Sequence, residues 1–461
     1  AYGTWDNVPT PLLAMFVKNH QKKSFMSSLP SMCGSMNDES SFAMHVDKGD
    51  ILKSYVCGNG IVYVTNKVYP PIDYQSVYAS VMTNGKTKFY LYLRSMENMY
   101  NLLVPTDEAL ENYRDPLSWA KGRSQREIWA FRYDDTKDQP VTADVYSVND
   151  DGSKGEYKRT IEDAAILRNR LYDICDCHII VGEKAEDGTM SGFVDDGSHH
   201  FYQSKGGSTI RVSGTGANMT VSGGGDIEQG MPAARQVSRY DADNGRCYVI
   251  DRMIHDPVNS VYANMEFSKF FELLNGNDMI FRIFEDDPEI KSIFSLNTTS
   301  SSSGLGNVVS SFGNFQYTVF VPTNEAVDEA FAKDPTLHTW NEIAEQTDTK
   351  TQHQWALRLI RFLKYHFVDN STYVDSQPFG TRTFETAARS RFQKIDISSN
   401  GQNLSITDSK GNVAHVVKTA GLYNLQSRDI IVNSNDYRTA TQLVSSSQSV
   451  IHLVDRALIP E

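Results

Sequence analysis

Four stretches of this 461-residue chain bring together residue types that can do chemistry. Cys175-x-Cys177-His178 sets two thiols beside an imidazole, but zinc sites space their thiolates C-x2-4-C and draw on a second ligand pair, so the cluster reads as packing. His199-His200 lies in a Gly/Asp-rich run and is a weaker metal candidate. Asp241-x-Asp243-x-Gly245 opens like a calcium loop without the glutamate due at position 12, and reads as a turn before a strand. Gly223-Gly224-Gly225 lacks the Lys-Ser/Thr of a phosphate loop and reads as a loop. No nucleophile elbow or H-E-x-x-H helix is present. An enzyme is therefore the weakest reading, and no cofactor or metal is expected.

Three other histidines recur in a fixed setting. His366 closes an apolar stripe of Trp355, Leu359, Phe362 and Leu363, His178 follows Leu167, Leu171 and Ile174, and His20 follows Leu13, Phe16 and Val17. This spacing puts each imidazole on the core-facing side of a helix, where a structural histidine is the expected role. The elements that position them also recur. Tyr317-Thr-Val-Phe-Val-Pro-Thr-Asn-Glu and Asn101-Leu-Leu-Val-Pro-Thr-Asp-Glu are each a β-prone run ended by Pro322 or Pro105. Thr323 or Thr106 then stands as the N-cap of a helix. A third element, Val450-Ile-His-Leu-Val-Asp-Arg-Ala-Leu-Ile-Pro460, has counterparts at Arg246–Ile254 and Ile61–Pro70. Three elements in one order make a repeat architecture.

The Pro-Thr block resembles the first signature motif of the fasciclin-like domain family, a cell-surface adhesion module, and the histidine helix and closing strand resemble the rest of it. The resemblance implies an α+β fold, a wedge or sandwich of about seven strands with packed helices. In that family a Tyr-His pair at the end of the helix is associated with adhesion to receptors. Only Tyr365-His366 matches it, since Cys177 and Asn19 precede the other two histidines.

The length suits about three domains. We expect residues 1–71 to be the C-terminal half of a fasciclin-like domain, because the Pro-Thr block is missing before His20, with the rest lying upstream, the favoured reading, or supplied by another chain. Residues 72–256 and 257–461 are expected to be complete domains, opened by helices with stripes Tyr74, Val77, Tyr78, Val81 and Phe267, Phe270, Phe271, Leu274. Glu127–Tyr133 and Val141–Tyr146 flank a polar turn and predict a β-hairpin inserted in the second domain. Its Trp129, Phe131, Tyr133 and Tyr146 either pack on the domain, the favoured reading, or face a ligand. Asn297–Gly304 reads as a solvated low-complexity loop.

Of the five cysteines, Cys175 and Cys247 stand where the other copies have Val17/Leu363 and Val62/Ile451, and are expected in the core. Whether Cys33 and Cys57 pair stays open. A net charge of −13 argues against nucleic-acid partners and against anionic membrane surfaces. No run of 18 apolar residues spans a membrane. A chain starting at Ala1 is expected to be processed or truncated, so that a leader or anchor can have been lost. Asn218, Asn297, Asn370 and Asn403 head glycosylation sequons.

The resulting expectation is a non-enzymatic, exported protein that binds a protein or glycan partner at a cell surface. The alternative that the resemblance brings is an accessory outer-membrane lipoprotein of a glycan or peptide import complex, which requires a lipidated cysteine upstream of Ala1.

Overall fold

The computed structural model describes residues 46–461 apart from 59, 70–98, 135, 137–139, 183–192, 194–198, 215–217, 243–244, 260–267, 292, 297–306, 310–315, 389–392 and 435, and within residues 1–45 only Leu13, Phe16, Val17 and His20. The expected opening helix at Tyr74–Val81, the loop at 297–304 and Cys33 lie outside the described residues. In the first repeat β1 (Ile51–Cys57) and β2 (Gly60–Thr65) form an antiparallel hairpin. Val46 and Tyr69 are buried beside it, with Ile51 and Tyr63 packed against them.

In the second repeat β3 (Met99–Pro105) ends at the predicted proline, and the Thr106 hydroxyl accepts from Ala109 N (3.3 Å) to cap the helix Asp107–Leu110. There follow β4 (Tyr113–Arg114), β5 (Ile128–Tyr133), β6 (Val141–Val148) and β7 (Lys154–Ile161), an antiparallel four-stranded sheet. The expected hairpin is its centre, β5 paired with β6 from Ile128↔Tyr146 to Tyr133↔Val141. Packing on the core takes two of its four aromatics, and Tyr146 is half-buried. Trp129 is buried and Phe131 lies against the same core, whereas Tyr133 at the strand end is 73% exposed.

The helix Ala164–His178 leads into β8 (Ile179–Gly182), β9 (His199–Gln203), β10 (Thr209–Ser213), β11 (Thr220–Gly223), β12 (Ala234–Ala242) and β13 (Gly245–Ile250). With β3 they make one sheet, ordered β8-β3-β13-β12-β11-β10-β9, in which β3 and β13 run parallel. Of the acidic stretch at 241–245, read as a turn, Asp241 and Ala242 end β12 and Gly245 opens β13, and residues 243–244 lie outside the described residues. The triple glycine is not a loop. It joins the end of β11 to the helix Gly224–Glu228, because a Cβ on Gly223 or Gly225 would come within 2.2 Å of the His255 or Asp256 carbonyl oxygen.

The third repeat opens with the helix Lys269–Asn275, which buries Phe270, Phe271 and Leu274. It stops at Gly276 (φ +76°), where a Cβ would strike the Phe281 ring. After β14 (Phe294–Leu296) and β15 (Asn307–Val309), the strand β16 (Gln316–Pro322) runs to the second Pro-Thr pair, and Thr323 caps the helix Asn324–Lys333 through Ala326 N (3.2 Å). Helices Trp340–Glu345 and Thr349–Tyr365 precede β17 (Phe367–Asp369), β18 (Gly380–Glu385), β19 (Lys394–Ser399), β20 (Leu404–Thr407), β21 (Val413–His415), β22 (Leu425–Val432) and β23 (Leu443–Val454).

Two four-stranded sheets result, β17-β16-β23-β22 and β18-β19-β20-β21, touching through the bridges Val368↔Thr386 and Val416↔Val454. Along β16, Tyr317, Val319 and Val321 face the helical core while Phe320 faces the outer sheet. That period of two explains why the strand reads as an unbroken apolar run: both faces are buried. The architecture is α+β, with wedge-like sheets and packed helices.

Candidate functional site

Each recurring histidine closes its repeat by the same pair of hydrogen bonds. His366 Nδ1 lies 2.9 Å from Phe362 O, one turn back in its helix, and Nε2 accepts from Leu458 N (3.0 Å) after the closing strand. His178 does the same with Ile174 O (2.7 Å) and Ile254 N (3.1 Å), and His20 with Phe16 O (2.8 Å) and Tyr69 N (3.3 Å). A carbonyl at Nδ1 and an amide N–H at Nε2 admit only the neutral Nδ1–H tautomer. Burial agrees, lowering the pKa of both His178 and His366 to about 4. The imidazole is a staple between helix end and closing strand, spanning up to 92 residues of chain.

The residue before the histidine differs in its use. Tyr365 is buried, its hydroxyl donating to Lys394 O (2.8 Å) and accepting from Ser409 N (2.9 Å), which ties the outer sheet to the helix. Neither Tyr365 nor His366 presents a side chain to solvent. Cys177, at the matching place, is buried beside Asp256, and burial pushes its thiol well up. The expectation for Cys175 is corrected: it is exposed. Helix Thr349–Tyr365 is covered by the helices at 269–275 and 340–345 and so buries Leu363, whereas Cys175 lies near Asp176 and Lys205 at the surface. Cys247 is half-buried and Cys57 is a free, exposed thiol.

The second and third repeats meet across a buried, charged seam that sequence reading missed. Arg428 on β22 pairs with Asp173 of the His178 helix and, at 3.3 Å, with Asp256. Burial raises the Asp256 carboxyl while Arg428 pulls it down. Arg170 donates to Asp115 (2.7 Å) and to Ala440 O (3.1 Å) across the seam, both side chains wholly buried. Leu117, just before β5, enters an apolar cluster otherwise made of third-repeat residues, Ile430, Val432, Ala440 and Leu443. Phe201 stacks on Tyr373 at 4.2 Å. Gly224 is tight here too, since a Cβ would meet the Gln426 side chain at 2.4 Å. A charged residue on an apolar helical stripe, Arg170 between Leu167 and Ile174, was the available sequence signal.

Beside the seam a cleft of about 450 Å³ opens between the inserted sheet and the body of the second repeat, lined by Glu108, Asn112, Arg114, Lys154, Arg252 and His255 among others. Asp226 and His255 pair at 2.8 Å, resembling two members of a catalytic triad. The imidazole is not poised as a base: His255 Nε2 already accepts from Arg114 N (3.3 Å), while Asp226 also accepts from Gly223 N and His255 N. Among the described residues no group of three or more His, Cys, Asp or Glu could hold a metal, and no helix is long and apolar enough to cross a membrane. His199 instead contacts the Ser213 hydroxyl.

Residues 294–460 match the family model of the Fasciclin domain. Among solved structures, a FAS1 domain pair from the insect cell adhesion molecule fasciclin I is similar at 13% identity, with 83% of this chain and 95% of that chain covered. Its TM-score is 0.22, too low for the superposition to carry any argument. No curated protein matches the chain. Fasciclin domains are associated with adhesion and surface proteins, and the Pro-Thr block, the stapling histidine and the closing strand of the C-terminal repeat all fall within the matched residues or on their edge. The likeness to the fasciclin-domain family thus rests on that C-terminal repeat, residues 294–460.

Proposed function

We propose that this is a non-enzymatic binding protein that works at a cell surface, outside the cell, through fasciclin-like repeats bounded near residues 71 and 257, with residues 1–71 the C-terminal half of one. The observation that carries this reading is the family match of the C-terminal repeat, in a family associated with adhesion. The buried seam supports it physically. It makes the second and third repeats one stiff body, so that the inserted sheet and the cleft are presented at a fixed angle to a protein or glycan partner. Within this reading Tyr365 and His366 act by holding their repeat together and do not themselves touch the partner.

The test is attachment of beads carrying the purified chain to cells. Specific attachment that survives Tyr365→Phe is expected. Failure to attach to any cell surface, or loss of attachment in a Tyr365→Phe protein of native melting temperature, overturns the corresponding part of the reading.

A further inference from the structure

The cleft of the second repeat contains two arginines with no carboxylate of their own. Arg114 is buried on the cleft wall, its guanidinium lying over the Trp119 ring at 4.3 Å, with Arg126 against the same ring at 4.9 Å. Its hydrogen bonds go to neutral acceptors, Gln229 Oε1 (2.5 Å) and Met231 Sδ (2.9 Å). Burial lowers its pKa, Arg126 and Arg252 add repulsion, and only Asp226 opposes them. Asp226 is committed to three donors from Gly223 and His255. Arg252, exposed on the rim, has no ion-pair partner among the described residues. Lys154, by contrast, is already paired with Glu111 at 3.2 Å. A buried guanidinium without an anion is costly, and its planar fork matches the two oxygens of a carboxylate.

The rest of the lining narrows the class of anion. Glu108, Asp151 and Asp251 line the same cleft as the arginines, and Asn112 and Ser153 add neutral polar groups. Three carboxylates repel a polyphosphate or a run of acidic side chains, yet they accept well from hydroxyls. A single carboxylate set among several hydroxyls satisfies both halves of this pattern, and the volume suits a small ligand. We infer that the cleft binds an acidic sugar, a uronic-acid unit of a glycan, with its carboxylate on Arg114 and Arg252 and its hydroxyls on the acidic rim.

This deepens the proposed binding role and rests on it, but it is tested separately, by calorimetry on the full chain with digalacturonic acid. The expected result is saturable binding, at least tenfold weaker for a neutral galactose disaccharide and weakened about 10- to 100-fold by Arg252→Ala, the range for losing one charge-assisted hydrogen bond. Arg252 is exposed, so this variant keeps the fold; Arg114→Lys is compared only where its circular dichroism is native, and is expected to weaken binding as well. Absence of binding, equal binding of the neutral disaccharide, an unchanged Arg252→Ala, or tighter binding of a tri-glutamate peptide each overturns the inference. A chain that attaches to cells but ignores digalacturonate removes this ligand and leaves the adhesive reading, and the reverse outcome does the opposite.

Discussion

The second and third repeats share a frame and differ in what they hang on it. Both run a strand to Pro-Thr, pair it in parallel with the closing strand, and staple the intervening helix by a neutral histidine. They part at the residue before that histidine. In the third repeat Tyr365 reaches the outer sheet and fastens it to its own helix. In the second, the small Cys177 leaves space in which Asp256 and the third repeat's Arg428 can meet. One helix position thus serves cohesion within a repeat in one copy and between repeats in the other. The inserted sheet extends the same theme, since its leading segment places Leu117 in the third repeat's core.

The comparison breaks most severely at the seam. Arg428→Ala leaves Asp173 and Asp256 buried without their cation, and is expected to cost about 3 to 5 kcal/mol. Chemical denaturation should then show the two repeats unfolding separately; one cooperative transition at nearly unchanged midpoint would contradict the seam's role. The staples come next. His366→Ala removes a fully buried ring and strands a carbonyl and an amide, costing on the order of 2 to 4 kcal/mol. His178→Ala should fall in the same range. His20, which lies at the surface, should give less than about 1 kcal/mol in its alanine variant. Equal losses at all three positions would mean that burial does not set the staple's worth.

Smaller effects sharpen the contrast at the preceding residue. Tyr365→Phe forfeits two hydrogen bonds to the outer sheet and should cost about 1 to 2 kcal/mol, with hydrogen exchange rising in 394–409 and not in the helices. A uniform rise would assign Tyr365 to the global core. Thiol reagents should label Cys57 and Cys175 quickly in the native protein and leave Cys177 untouched. Rapid labelling of Cys177 would show the seam to be open.

Much of this frame was legible because it rests on local chemistry. The proline that ends each strand, the threonine cap and the histidine at the end of an apolar stripe are each set by a few neighbouring residues. The inserted hairpin was visible through its alternation about a polar turn. The seam was not, because Arg428, Asp173 and Asp256 lie on three separate segments, with Asp173 and Arg428 255 residues apart, and only the tertiary fold brings them together. Cys175 was misplaced for a related reason. Alignment assigns it the burial of Leu363, but burial depends on which helices cover that face. The cleft was equally hidden, since its walls come from the insertion, the Gly224–Glu228 helix region and the turn after the closing strand.

The central claim is that a neutral histidine bridges helix end and closing strand in every repeat. Free histidine titrates near 6.5, and a ring held near 4 takes up its proton in the unfolded chain before the folded one, so its share of stability is full above about pH 6.5 and is lost as pH falls toward 4. That share is on the order of 3 kcal/mol for His366. Glu228 and Glu385, both pushed up to about 7 by burial, act in the opposite sense between pH 4.5 and 7, so whole-protein stability is not the cleanest readout. The direct measurement is a nitrogen-15 NMR titration of the His366 imidazole, assigned by its loss in His366→Asn. A neutral ring with its proton on Nδ1 that persists down to about pH 4 is the predicted result, and a proton on Nε2, or protonation near pH 6.5 in the folded protein, would contradict the staple.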